Sequence, residues 1–220
     1  SARPVIIAGG GARNVVAEVR ALAETLDAPV VQTVNARGIM HKHPLSVPAS
    51  PSLVAVRQLL AQSDCVIAIG TEFGETDYDM SGDGQFPALK SVIRIDKDGA
   101  QIKRRPHAMG ICGDAKAVLE TLLPMLSRHQ AAGGAESARQ ARDAAKDEIG
   151  PRLRSHLEVV KIIRDTLPGA VVVGDSAQPI YAANLYYDHD RPGGYFDAAT
   201  GYGALGYGPG AAVGAALGAH

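Results

Sequence analysis

Cysteine is nearly absent from this sequence. Only Cys65 and Cys112 occur, each within an apolar run (CVIAIG and MGICGD), and no Cys/His spacing suits zinc. The pair reads as two inert core thiols in a reducing compartment. A surplus of either charge is missing as well: 22 Lys+Arg face 23 Asp+Glu, a formal charge of -1. Without a basic field to hold a phosphate backbone, nucleic acid is not an expected partner. No apolar run approaches the roughly 18 residues of a membrane span. The longest, Ala204 to Ala219, is mostly Gly and Ala and is interrupted by Pro209. The opening Ser-Ala-Arg-Pro enters a strand pattern at once and shows no signal peptide. A soluble, cytoplasmic protein is expected, with no membrane partner. His41 and His43 have no acidic or Cys neighbour in sequence and read as loop histidines. No internal repeat is evident.

What is present suffices for a core: 220 residues, 46% of them apolar. Residues 1–127 alternate short β-branched runs with helical patterns. Strands are expected at Pro4–Ala8, Pro29–Val34, Cys65–Ile69, Ser91–Ile95 and Ala108–Cys112. They are apolar on both faces, as in a parallel sheet covered on both sides. Helices are expected at Asn14–Leu26, Leu53–Ala61 and Asp114–Leu126. The alternation predicts an α/β, doubly wound parallel sheet. Residues 128–150 are Ala-rich and charged with few large apolar side chains, and read as an interdomain linker, flexible at Gly133-Gly134 and helical beyond. Residues 151–220 start a second, incomplete α/β unit. Its first helix is signalled by a capping box at Ser155-His156-Leu157-Glu158. A strand at Ala170–Val173, a turn at Gly174-Asp175-Ser176, a helix over Ala182–Tyr187 and a short strand at Tyr195–Ala199 follow. A glycine loop, Gly201–Gly208, and an Ala/Gly helix with Pro209 in its first turn close the pattern.

Four strings are candidates for chemistry. Gly9-Gly10-Gly11 lies between the first strand and the first helix, where backbone can approach a ligand and helix N–H groups point outward. Asn14 stands where the dinucleotide fingerprint needs a third glycine, so a modified nucleotide site and a structural tight turn both remain open. Ser81-Gly82-Asp83-Gly84 reads as a loop. Glu72, Glu75, Asp77 and Asp79 place four carboxylates in eight positions after a buried strand, suited to a cation or basic group, or to a solvated loop. Gly201-Tyr202-Gly203-Ala204-Leu205-Gly206-Tyr207-Gly208 is the most informative. Its glycines let backbone lie against a flat ligand while Leu205 provides a wedge; low-complexity filler is the other reading.

Taken together, these strings resemble the thiamine diphosphate enzymes of the acetolactate synthase and 2-oxo acid decarboxylase family, over essentially the whole chain. RPVIIAGGG, SDCVIAIGTEF, VIRIDKD and ICGDAKAVLETLL resemble its central Rossmann-like domain. LPGAVVVGDSAQ and YFDAATGYGALGYGPGAAVGAALG resemble the opening of its pyrophosphate-binding domain. The resemblance implies that Leu205 wedges a bent thiamine diphosphate, with backbone carbonyls of Leu205 and Gly203 against the aminopyrimidine. It implies that Gly174, Asp175 and Ser176 lie near the diphosphate, and that Gly9, Gly10, Gly11, Thr33, Asp96 and Asp114 match positions lining a nucleotide, the FAD of acetolactate synthases. Glu72 and Thr76 replace arginines of the family's flavin loop, which removes phosphate-pairing charge and argues against FAD. The family's activating Glu would precede Ser1 and its Mg2+-binding Gly-Asp-Gly…Asn motif would follow His220. The chain is therefore expected to be an inactive fragment of a homodimeric or homotetrameric decarboxylase or carboligase acting on a 2-oxo acid. The acidic loop would suit a guanidino 2-oxo acid. The alternative is a non-catalytic module binding FAD or ADP, or a structural scaffold descended from such an enzyme.

Overall fold

A computed structural model describes residues 1–74, 88–127 and 133–218. The candidates at Glu75, Thr76, Asp77, Asp79 and Ser81–Gly84 lie outside the described residues. Six strands, β1 Pro4–Ala8, β2 Val30–Gln32, β3 Ser46–Val47, β4 Cys65–Ile69, β5 Val92–Asp96 and β6 Met109–Cys112, form one parallel sheet in the order β3-β2-β1-β4-β5-β6. Helices α1 Val16–Leu26, α2 Val54–Gln62 and α3 Gly99–Lys103 lie between strands, and α4 Ala115–Leu122 follows β6. Alternation along the strands divides the core in two. Val5, Ile7, Val66 and Ala68 face α2, whereas Ile6, Ala8, Ile67 and Ile69 face α1 and α4. Both faces of the central strands are covered, so their sequence is continuously apolar.

Three expectations need correction here. β2 stops at Gln32, because the chain turns into a 3-10 helix at Val34–Ala36 with Ala36 N–H donating to Thr33 O at 3.0 Å. β6 is an edge strand, with Met109 exposed and Cys112 exposed rather than buried; Cys65 is half-buried, and burial raises its thiol pKa. Nor are the loop histidines without acidic neighbours. His43 Nε2 lies 3.0 Å from Glu24 Oε1 and His41 Nδ1 lies 3.0 Å from Asp188 Oδ2, partners far off in sequence.

The segment after Gly133 also differs from expectation. Helix α5, Gly134–Glu148, forms as the Ala-rich sequence predicts, but it does not hang free. Ala138, Ala141 and Ala145 are buried in the same core as Leu59 and Leu60 of α2. Small side chains let two helices approach closely, so alanines carry this contact without bulky residues. Three polar sutures fix it. Gly134 N–H donates to Asp27 Oδ2 at 2.9 Å. Arg142 Nη1 reaches the carbonyls of Pro44 and Ser46 at 2.9 and 2.5 Å. Glu148 accepts from Val54 and Ala55 N–H at 2.8 and 3.0 Å, capping α2 from a distance.

Helix α6, Gly150–Thr166, starts with Pro151 in its first turn, so Ser155 lies within it and donates to Arg152 O instead of forming the expected capping box. Strands β7 Val172–Gly174 and β8 Tyr195–Asp197 form a separate parallel pair, with Gly174 opposite Asp197. Helix α7, Gln178–Leu185, links them and α8, Tyr207–Gly218, follows. After α7 the chain runs along the β3 edge of the large sheet. Ser50 N–H donates to Leu185 O at 2.7 Å and Tyr187 N–H to Pro48 O at 3.0 Å. Arg37, fully buried, donates from Nη2 to Asn184 O at 2.9 Å. The outer surface of this unit leaves Ile162, Leu167, Val213 and Leu217 exposed. Among the described residues, no helix is long and apolar enough to cross a membrane.

Candidate functional site

The strand order reverses direction at β1 and β4, and a cleft opens over their carboxyl ends. Connections diverge at such a point, leaving a crevice between them. The cleft measures about 430 Å3 and is lined by Gly10, Gly11, Thr33, Asp96 and Asp114 of the expected residues. Gly9 does not line it. Gly9 N–H donates to Ile69 O at 2.9 Å, and a Cβ there would fall 2.3 Å from Gly70 O. Gly9 lets two strand ends meet; Gly10 and Gly11 face the space.

The two acids expected there are already engaged. Asp114 Oδ1 accepts from Lys116 and Ala117 N–H at 3.0 and 3.3 Å, which makes it the N-cap of α4. Asp96 Oδ1 accepts from Asp98 N–H at 2.9 Å. Each retains an edge toward the cleft, where a hydroxyl could donate to it. Glu72 also lines the cleft and lies 3.7 Å from Arg104. Sequence reasoning missed Asn35, Gly70, Lys97 and Gln101, which line it too. Gly70 was legible in principle, since it follows β4 as Gly9 follows β1.

Just beyond, Phe73 takes a left-handed φ of 54° and is buried, with the Arg94 guanidinium 4.6 Å over its ring. Arg94 is buried too and donates to Thr71 O at 2.8 Å and Ile102 O at 3.3 Å. This contact holds Glu72–Gly74 facing Ala199–Gly201 across a second polar cleft of about 430 Å3 with Arg104 and Arg105 on its wall.

The second group of expected residues comes together at the carboxyl end of the small sheet. Asp175 Oδ1 accepts from Ser176 N–H at 2.7 Å and Gly206 N–H at 3.3 Å, and Oδ2 accepts from Gly208 N–H at 2.9 Å. The Gly208 and Ser176 amides, with Gly206 behind them, hold the Asp175 carboxyl below its ordinary pKa. Gly174 is buried where a Cβ would strike Asp197 Cβ at 2.7 Å and Ile180 Cγ2 at 2.6 Å. Gly203 has φ 68° and Gly206 φ 81°, both with open space where a Cβ would point. Between them Leu205 is 82% exposed, and Tyr202 is fully exposed. Sequence reasoning missed Asp197, buried beneath this loop. Its Oδ1 accepts from Ala199 N–H at 2.7 Å, and burial raises its pKa. Close by, Tyr195 Oη donates to Asn184 Oδ1 at 2.6 Å.

A doubly wound sheet with a polar cleft at its switch point, joined through a buried edge to a glycine-loop unit, defines an α/β protein of two units. The chain belongs to the thiamine pyrophosphate enzyme family, whose central domain matches residues 1–122. It is 34% identical to a probable 2-ketoarginine decarboxylase of Pseudomonas aeruginosa, over 99% of this chain and 39% of that protein. It is 32% identical to an acetolactate synthase large subunit of Mycobacterium tuberculosis, over 98% of this chain and 37% of the relative. With acetolactate synthase isozyme 1 of Escherichia coli it shares 29% identity over 98% of this chain and 39% of the relative. The chain thus spans about two-fifths of the length of these relatives.

Proposed function

We propose that the whole protein is a thiamine diphosphate-dependent 2-oxo acid decarboxylase or carboligase, in which residues 1–127 are the central domain and 151–220 contribute to the pyrophosphate-binding domain. The observation that carries this reading is the meeting of the Gly174–Ser176 turn with the Gly201–Gly208 loop through Asp175. The loop suits a flat ring: Gly203 and Gly206 present backbone into open space and Leu205 projects uncovered between them. Neither string contains a cation. Residues 201–208 fit the aminopyrimidine side of the cofactor, and the Gly174–Ser176 turn would lie near the diphosphate, whose charge would be met by Mg2+ held by other residues. Thiamine diphosphate supplies an electron sink for the carbanion left when a bond beside the 2-oxo carbonyl breaks. Leu205 would orient the ring, and the carbonyls of Gly203 and Leu205 would accept from its amino group. Glu72 joins Arg13 and Lys97 on the wall of the central cleft and offsets part of the positive charge a flavin diphosphate would need; FAD is not part of this reading.

A 2-oxo acid with a guanidino group is the substrate we favour, supported by the acids at Glu72, Glu75, Asp77 and Asp79 and by the similarity to a probable 2-ketoarginine decarboxylase. The Glu75→Gln/Asp77→Asn double substitution should raise KM for such a substrate; an unchanged KM removes the charge argument. A homodimer or homotetramer in the cytoplasm completes the proposal. Calorimetric titration of the full-length protein with thiamine diphosphate and Mg2+ tests it. Saturable binding that weakens about tenfold in Leu205→Ala, the scale of one buried Leu side chain, is expected. An absence of binding sinks the reading.

A further inference from the structure

The glycine loop leaves one strand and enters one helix, and an aspartate anchors each end. At its start, Asp197 closes a tight turn through Ala199 N–H, and Thr200 Oγ1 donates back to Asp197 O at 2.9 Å. Gly203 N–H then donates to Ala198 O at 2.8 Å. At its end, α8 begins at Tyr207. The first N–H groups of a helix have no partner within it, and the residue before the helix usually supplies one from its side chain. Here that residue is Gly206, which has none. The acceptor comes instead from Asp175, more than 30 positions earlier, which takes both Gly206 and Gly208 N–H.

The two aspartates share one origin. Gly174 is the register partner of Asp197 in the β7–β8 pair, and Asp175 follows Gly174. Both carboxylates therefore emerge from the same end of the two-stranded sheet and grip the two ends of one loop. Only residues 201–205 remain between the anchors, and these carry Tyr202, Gly203 and Leu205. Asp175 is an ionised carboxylate that only accepts hydrogen bonds, and both its oxygens are engaged by backbone N–H groups, so it has no donor to offer a bound anion.

We propose that Asp175 is a positioning residue, a long-range helix cap that, opposite Asp197, fixes the ends of the Gly201–Gly208 loop so that Gly203 and Leu205 are presented in one geometry. This reassigns Asp175 from direct cofactor contact to loop tether. It rests on the reading of that loop as a thiamine diphosphate cradle.

The test uses the full-length protein and two measurements. Amide hydrogen exchange without ligand reads the tether itself. In Asp175→Ala, exchange at Gly206 and Gly208 should rise about fivefold to tenfold, the scale of a lost helix cap, while the β4 amides Val66–Ile69 stay protected. Asp175→Asn keeps one acceptor oxygen and should fall between Ala and the native residue. Titration with thiamine diphosphate and Mg2+ reads the consequence: Kd should rise by a similar factor in Asp175→Ala, while KM for the 2-oxo acid at saturating cofactor stays within twofold, about the scatter of a neutral substitution. Unchanged exchange at Gly206 and Gly208 would overturn the proposal. So would raised exchange with an unchanged Kd. A native protein that binds no thiamine diphosphate fails the functional reading instead, and exchange alone then decides the tether.

Discussion

Two glycine strings, Gly9–Gly11 and Gly201–Gly208, each follow a strand and precede a helix, yet they use glycine for opposite reasons. At Gly9 the backbone is extended and the missing Cβ matters as space: an ideal Cβ would meet Gly70 O at 2.3 Å and Thr71 Cα at 2.6 Å. At Gly203 no atom lies within 4 Å of that position, and what glycine supplies is the left-handed φ of 68°. The first string is locked into the floor of a sheet-edge cleft by its neighbours. The second is held at its ends and by Gly203 N–H to Ala198 O, while the side of Gly203 and Leu205 away from these bonds stays open. Close packing suits a preformed pocket, and an open glycine span with one exposed leucine suits a surface against which a ring can lie.

The comparison breaks most sharply at Gly9. Alanine there collides with backbone on a buried strand end, so neither partner can rotate away. Gly9→Ala should lower the unfolding free energy by about 3 kcal/mol, the upper range for overpacking, read from urea denaturation. A loss under about 1 kcal/mol would show that β1 and β4 can separate at their ends, and that the first string resembles the second.

Acid titration separates the two anchors of the second string. Asp197 is buried and its pKa is raised by that burial, so its contribution to stability is complete below the ordinary carboxylate pKa and is lost as pH rises through the raised value. Asp175 is held below its ordinary pKa by the Gly208 and Ser176 amides. Its contribution is present above the ordinary value and lost as pH falls through the lowered one. Asp197→Asn should therefore improve stability at neutral pH relative to acid, and Asp175→Asn should flatten the acid-side loss. For the buried Asp197 the change is bounded by about 1.4 kcal/mol per pH unit for one proton. Urea midpoints between about pH 3 and 7 check the signs, and slopes that move together refute the division.

How far sequence reading reaches follows the same division. Strands β1 and β4 appear at their expected residues because a central parallel strand is apolar on both faces and nothing else in a short chain reads that way. The glycine loop and the Gly174–Ser176 turn were legible as strings, and they do meet. What escaped were contacts made by residues that look dispensable in one dimension. Ala138, Ala141 and Ala145 carry no apolar bulk, yet they pack α5 on the sheet unit. Ser155 and Glu158 copied a capping box inside a helix that Pro151 had already begun. Asp114 lines the expected cleft and also caps a helix, and Asp175 caps one from a distant turn. A polar side chain and its backbone partner can be 30 residues apart, so spacing rules that work for local caps give no signal there.

The mildest perturbation tests whether the open span of the second string is under backbone control alone. In Gly203→Ala the added methyl meets nothing, so only the left-handed φ opposes it, at about 1 kcal/mol for a non-glycine residue. Because the anchors at Asp175 and Asp197 are untouched, this cost should appear as a relaxed loop and not as global unfolding. The unfolding free energy from urea denaturation should stay within about 0.5 kcal/mol of native, since the strain is released locally. Exchange at Gly206 and Gly208 should also stay protected, which distinguishes this variant from Asp175→Ala. Thiamine diphosphate binding should weaken modestly, by about fivefold, the equivalent of about 1 kcal/mol. A large fall in the urea midpoint would mean that residues 201–205 carry part of the fold, and the contrast with Gly9 would then be one of degree.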